Sequence, residues 1–198
     1  MQAFLAIALG LGLAAASGMR VFVPLLALSV TAATGHVTLA PSWSWLASPA
    51  AIIALGTATV LEVIAYTVPW LDHALDVVAT PAAVIAGMIA SASTLIDLPP
   101  FLKWGIVIIG GGGLAGLTQG ASVLARLKSG LLTGGLANPV VGVAELFGAL
   151  GLSALALFIP VAALVVLVVL LGFIFRRAGR LLFGRRLAPS APGGRVAT

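Results

Sequence analysis

Residues 106–116 read IVIIGGGGLAG, and Leu117, Thr118, Gln119 and Gly120 follow. Four aliphatic residues running into Gly111-x-Gly113-x-x-Gly116 are written like the strand, turn and helix start that hold a dinucleotide pyrophosphate. That chemistry also needs an acidic residue about 20 positions further on, for the ribose hydroxyl. Between Gly116 and Ala144 there is no Asp or Glu; Arg126 and Lys128 stand there instead. The ribose ligand is missing, so neither FAD nor NAD is expected. The glycines need another reading.

The rest of the chain supplies it. Of 198 residues, 61% are hydrophobic and 8% charged, against about 45–50% and about 25% in soluble domains. So few charges cannot cover a water-facing surface. With a mean hydropathy of +1.23, the solvent for most of the chain is lipid. The absence of cysteine excludes disulfides, thiolate chemistry and cysteine metal sites. The net charge of +5 draws heavily on Arg176, Arg177, Arg180, Arg185 and Arg186, which follow the last apolar run. That placement is the positive-inside signature of a basic cytoplasmic tail over 176–198, with its end disordered, and not of a nucleic-acid surface. The opening MQAFLAIALGLGLAAASG has no Lys or Arg before its apolar run, so it reads as a retained first span and not a cleaved signal peptide.

A bilayer core of about 30 Å takes about 20 helical residues. On that ruler the run 3–34, interrupted by Ser17, Gly18, Arg20 and Pro24, is too long for one straight helix and should break near Arg20. Further runs cover 49–69, 77–96 and 104–125, and the stretch 138–175 divides at Pro160, since proline suits a first helical turn and disrupts an interior. The expected fold is all-α, a multi-pass transmembrane bundle of about six spans over 1–175. Trp43, Trp45, Trp70 and Trp104 flank these runs, as the amphipathic indole does at membrane interfaces. An even count puts both termini on one side, the cytoplasmic side of an inner membrane, and leaves 35–48, which has no Lys or Arg, outside.

In such a helix Gly112, Gly116 and Gly120 recur every four residues and read as a face for close helix packing. Gly10, Ala14 and Gly18 repeat that spacing 102 positions earlier, each stripe leading into a polar break. The echo is compatible with two three-helix repeats, 1–98 and 102–175, with broken first helices. Three spans per unit makes such repeats inverted, as in many transporters, while simple helix packing explains the echo equally well.

Ionisable residues inside the apolar runs are few and therefore informative. Glu62 has Thr59 and Tyr66 on its helix face, and Glu145 lies between Gly142 and Gly148. With Arg20 they form a candidate intramembrane polar site: Arg20, Glu62, Tyr66 and Glu145. One reading is a proton- or cation-linked carboxylate pair; the other is two structural carboxyl groups bonded to Arg20, Thr59 or Gln119. Asp72, His73 and Asp76 form a candidate helix-start or ion site, where a capping role for Asp72 outweighs a metal one. Neither a catalytic set, nor a phosphate loop, nor a metal site is legible, and no cofactor is expected. The expected partners are membrane lipid and, as an open alternative, a second copy or another membrane protein. Nucleic acid is not expected.

The pieces SGMRVFVPLLAL, LEVIAYTVPWLDHALDVVATP and NPVVGVAE resemble the bacterial membrane-protein family called domain of unknown function 4126. The resemblance runs from about Leu9 to Pro160. It implies Arg20, Pro24, Glu62, Pro69, Asp72, Asp76 and Glu145 as characteristic positions. The family pattern has Asp-Lys where this chain has Tyr66-Thr67, Arg-Pro where it has Ala83-Val84, and a second acid at Leu146. A charged relay implied for the family is thinned here, and the family name carries no activity. Two functions stay open from the residues: a transporter- or channel-like protein binding a small solute or ion between repeated halves, or an assembly protein packing on partners through Gly and Ala faces.

Overall fold

The computed structural model describes residues 2–66 and 69–183; the side chains of residues 69–76, 174 and 177–183 lie outside the described set. Among the described residues there is no strand. Eight α-helices follow in order: α1 (Gln2–Ser17), α2 (Phe22–Ala33), α3 (Pro49–Ala65), α4 (Pro69–Thr94), α5 (Pro100–Gly105), α6 (Gly113–Thr133), α7 (Asn138–Phe158) and α8 (Pro160–Phe183). Proline opens α3, α4, α5 and α8, where its missing N–H has no intrahelical acceptor to satisfy. A 3-10 turn, Pro41–Ala47, precedes α3. Gly134, at φ 62°, ends α6 in the left-handed region that glycine tolerates.

Among the described residues three helical segments are long and apolar enough to cross a membrane: Val77–Thr94, Pro100–Thr133 and Asn138–Phe158. A fourth is added if Pro41–Ala47 and Pro49–Ala65, bent by 64° at their junction, count together. Length and composition thus support three to four spans among the described residues, short of the six expected. Gln2–Ser17, Phe22–Ala33 and Pro160–Phe173 are apolar but shorter.

The aliphatic run of the opening stretch is no strand. Ile106–Gly112 is a π-helical segment continuous with α5 before it and α6 after it, so the strand-to-turn geometry of a dinucleotide site does not occur there.

The chain divides into two units, Met1–Leu167 and Val168–Thr198. In the first, α1 is the central element, in contact with α2, α4, α6 and α7. Its buried residues include Leu13, Ala14, Ala15, Ala16 and Ser17; Gly12 lies against Ala156 and Ala163, Ala14 against Gly87, and Gly18 against Ala115. Small side chains bring backbones together, which is the main source of helix association where lipid is as apolar as leucine. Gly10 lies against Ser91 and Thr94 of α4, and Ser91 Oγ donates to its carbonyl at 3.3 Å. The second unit contains α8 from Val168 onward, described as far as Phe183.

The first apolar run is not one broken span. As α1 advances from Gly10 to Ala14, its neighbours on α4 retreat from Thr94 to Gly87, so the two helices are antiparallel. From Phe22 to Ser29, α2 runs the other way: Val21 and Phe22 meet Glu62, Leu26 meets Gly56, and Ser29 Oγ donates to the Leu46 carbonyl. Gln2, Ala3 and Ala6 line one cavity with Thr38 and residues 94–98, and Ala40 N–H donates to the Ser93 carbonyl at 2.8 Å. The chain therefore enters and leaves at the same end of α4, and α1 and α2 form a re-entrant hairpin whose tip is residues 18–21. Gly18 N–H to Ala15 and Met19 N–H to Ala16 tighten the last turn of α1, and Pro24 falls in the first turn of α2, where it does no harm.

Candidate functional site

The hairpin tip carries Arg20, which is 2% exposed. Its tight seat comes from Gly18, where an added Cβ would overlap Thr118 Oγ1 and lie 2.8 Å from the Gln119 amide nitrogen. Thr118 Oγ donates to the Ala15 carbonyl at 2.9 Å, a second donor to an oxygen that also accepts from the Gly18 N–H in the tightened last turn of α1. On the other flank, Gly148 of α7 admits Met19, and Gly142 admits Arg20. Arg20 Nη2 donates to the Gly142 carbonyl at 2.7 Å.

All four expected polar residues gather at this tip. Tyr66, at the end of α3, is buried, and the guanidinium of Arg20 lies 4.2 Å from its ring centroid. Glu62 accepts from the N–H groups of Val21, at 2.8 Å, and Phe22, at 3.2 Å. Those are orphan donors of the first turn of α2, at the positive end of its dipole, so the carboxylate acts as a cap supplied from another helix. Glu145, from α7, accepts from Ser122 Oγ and from Arg126 Nη2, and from Arg126 Nε at 3.2 Å. Arg20 Nη2 stands 3.9 Å from its Oε2.

Arg126 is the residue that the sequence reading leaves out of the polar site. It is 2% exposed inside α6, and its guanidinium lies 4.1 Å from the Tyr66 centroid. Ser122 and Gln119, one and two turns earlier, are buried with it. The spacing 119, 122, 126 is one helix face, so the signal was present in the sequence, overshadowed by the charge rule.

Among the described residues two guanidinium and two carboxylate groups meet here, and opposite charges brought together are what permits burial. The hydrogen bonding is uneven, however. Glu62 is taken up by α2, and Glu145 by Arg126 and Ser122. Among the described residues no acceptor reaches Arg20 Nε or Nη1, or Gln119 Nε2, all buried. Thr59, considered as a carboxyl partner, donates instead to the Leu55 carbonyl of its own helix.

A family model described as Domain of unknown function (DUF4126) matches residues 7–180. The chain belongs to that family. No curated protein and no solved structure matches it. The match covers the hairpin from residue 7 onward and, of the described members of the cluster, Arg20, Glu62, Tyr66, Arg126 and Glu145.

The remaining expected sites fare differently. Asp72, His73 and Asp76 lie on the first two turns of α4, and their side chains fall outside the described residues. Among the described residues no group of three or more His, Cys, Asp or Glu is placed to hold a metal ion. The packing stripe needs correction. A Cβ at Gly112 would meet Met88 at 3.1 Å and one at Gly116 only Val84 at 3.4 Å, while Gly120 has nothing within 4 Å. Backbone approach occurs one residue earlier, at Gly111, where a Cβ would lie 2.8 Å from the Gly87 carbonyl oxygen. A strict four-residue spacing drifts about 40° per step from the helical period. Gly111, Ala115, Thr118, Ser122 and Arg126 are buried along this helix; a step of three among steps of four reduces that drift.

Proposed function

We propose that this membrane protein is a transporter- or channel-like protein of the cell inner membrane, with its solute site at the tip of the α1–α2 hairpin. The observation that carries this reading is the Arg20 guanidinium, buried on non-helical backbone with Nε and Nη1 lacking acceptors. Irregular backbone and unpaired donors at such depth are costly unless they serve a pathway, and discontinuous helices that end at a charged centre are a common substrate-binding device in transporters. Residues 35–48 and the hairpin's open end, which carries the start of α1, face outward, in place of the cytoplasmic N-terminus that an even span count implies, and the basic C-terminal tail is cytoplasmic.

The test is solute and ion flux in proteoliposomes, comparing the wild type with Arg20→Gln and Glu145→Gln at matched protein levels. Flux above empty liposomes, cut about tenfold or more in Arg20→Gln, is the expected result, since that change removes a charge-assisted donor set. Absence of flux across protons, cations, chloride, phosphate and carboxylates would remove the transport reading.

A second reading, assembly with another membrane protein, is favoured by one observation. Gly113 and Gly120 present open space on the outer face of α6, a surface on which another helix can pack closely. Because the chain has no cysteine, Gly120→Cys offers a single crosslinking site. A crosslinked dimer in native membranes supports assembly, and exclusive monomer counts against it.

A further inference from the structure

Two cavities lie side by side at the Thr94 end of α4. One, of 430 Å³, is walled by Trp43, Trp45, Pro100 and Trp104 and holds Lys103. The other, of 360 Å³, lies between Gln2, Ala6, Thr38 and Asp97. Both volumes fall within the usual range for small-ligand sites. Ile96 and Leu98 line the two together, and Asp97 is the residue between them, so an apolar rim divides a cavity with a cation from a cavity with an anion. The walls are anchored. Trp43 packs on the buried cluster of Ala92, Leu95 and Val107, and the Ala40 N–H, donating to the Ser93 carbonyl at 2.8 Å, ties the 3-10 turn to the end of α4.

Asp97 is exposed and Lys103 half-buried, so both are reached without any movement of the chain. Among the described residues neither has an ion-pair partner, and they do not pair with each other. Opposite charges kept apart across an apolar rim are complementary to a molecule that carries an anion and a cation a few bonds apart. The surroundings identify what such a molecule is attached to. Tryptophans gather at the depth of phospholipid head groups. Beside Lys103 the helix presents Phe101, Trp104 and Ile108, 94%, 51% and 54% exposed, whose steps of three and four put them on one face, an apolar surface for acyl chains. We infer that the paired cavities hold the head group of a phospholipid with a primary amine, phosphatidylethanolamine, its phosphate at Lys103 among the tryptophans and its ammonium at Asp97. A quaternary ammonium has no N–H to donate to a carboxylate and is drawn to aromatic faces, which here surround the like charge of Lys103. A head group with a phosphate and no cation would set an anion against Asp97. This inference is independent of the transport reading.

Lipid retention on the full chain in detergent micelles, read by native mass spectrometry, tests it with ethanolamine, choline and glycerol phospholipids of identical acyl chains. The ethanolamine lipid should be retained at least about threefold more tightly than either of the others, as a charge-assisted hydrogen bond at a partly exposed site implies. Asp97→Asn should erase its preference over the choline lipid and raise retention of the glycerol lipid. Lys103→Gln should lower retention of all three, since each carries the phosphate. The comparison of lipids on the wild type needs no variant, which keeps the inference open to refutation if either change unfolds the protein. Equal retention of ethanolamine and choline lipids, or an undiminished preference in Asp97→Asn, would overturn it. Displacement of the lipid by an equal concentration of free phosphoethanolamine would overturn it too, by showing a site for a soluble zwitterion in which acyl chains have no part.

Discussion

Arg126 bonds both carboxylate oxygens of Glu145 through Nε and Nη2, with Ser122 and Tyr66 beside them and almost no exposed surface, so each charge offsets the other. Removing one partner strands the other, which for a buried pair costs about 3–5 kcal/mol, whereas removing both together is often close to neutral. Arg126→Leu should therefore lower the thermal unfolding midpoint in detergent sharply, and Arg126→Leu/Glu145→Leu should recover most of that loss. Additive losses would show that the pair is not the unit. Glu62 makes a different demand, because its partners are the backbone donors of Val21 and Phe22. Glu62→Gln retains one acceptor and should cost little, while Glu62→Leu leaves two N–H groups bare and should cost about 1–3 kcal/mol per group. Equal unfolding midpoints for Gln and Leu would show that capping is not its role.

At the scale of the helix, the π-helical segment and the α6 that continues it distinguish glycines that are needed from glycines that are merely present. Gly111 stands against the Gly87 carbonyl and Ser91 Cβ, at 2.8 and 2.9 Å from where a Cβ would lie. Rigid backbone cannot yield as a flexible side chain does, so Gly111→Ala should destabilise by about 1–3 kcal/mol. Gly120 meets nothing and sits in a regular helix, so Gly120→Ala should be neutral or stabilise by up to about 1 kcal/mol through lower unfolded-state entropy. The midpoints of the two variants, measured side by side, check this. The reverse order would mean that the packing face has been misassigned.

For the molecule as a whole, the re-entrant hairpin changes the arithmetic of topology. One broken first span would carry the chain across the bilayer between the N-terminus and residues 35–48. A hairpin returns it to the side it left. Trp43, Trp45, Lys103 and Trp104 line one cavity with Pro100, and the Trp43 and Trp45 rings stand 6.2 Å apart, an aromatic belt at that same end. An N-terminal reporter and one inserted in 35–48 should therefore report the same side of the membrane, and one in 134–137 the opposite side. Opposite signals from the first two would restore the single broken span.

The sequence by itself determined the solvent, the helical class, the helix start at Pro160, the interruption near Arg20, and the polar residues that cannot face lipid. Each of these depends on composition or on the local chemistry of a few neighbouring residues. Only the tertiary structure decided which way α2 runs, because the turn at 18–21 is fixed by contacts with Glu62 on α3 and Thr118 on α6, far away in the chain. The same holds for Arg126. A charge at the end of an apolar run looks like a boundary until a carboxylate from another helix is brought beside it, and that meeting depends on the packing of α6 on α7. The stripe of glycines was misjudged for a related reason: spacing states which residues share a face, and only the neighbouring backbone states which face is buried.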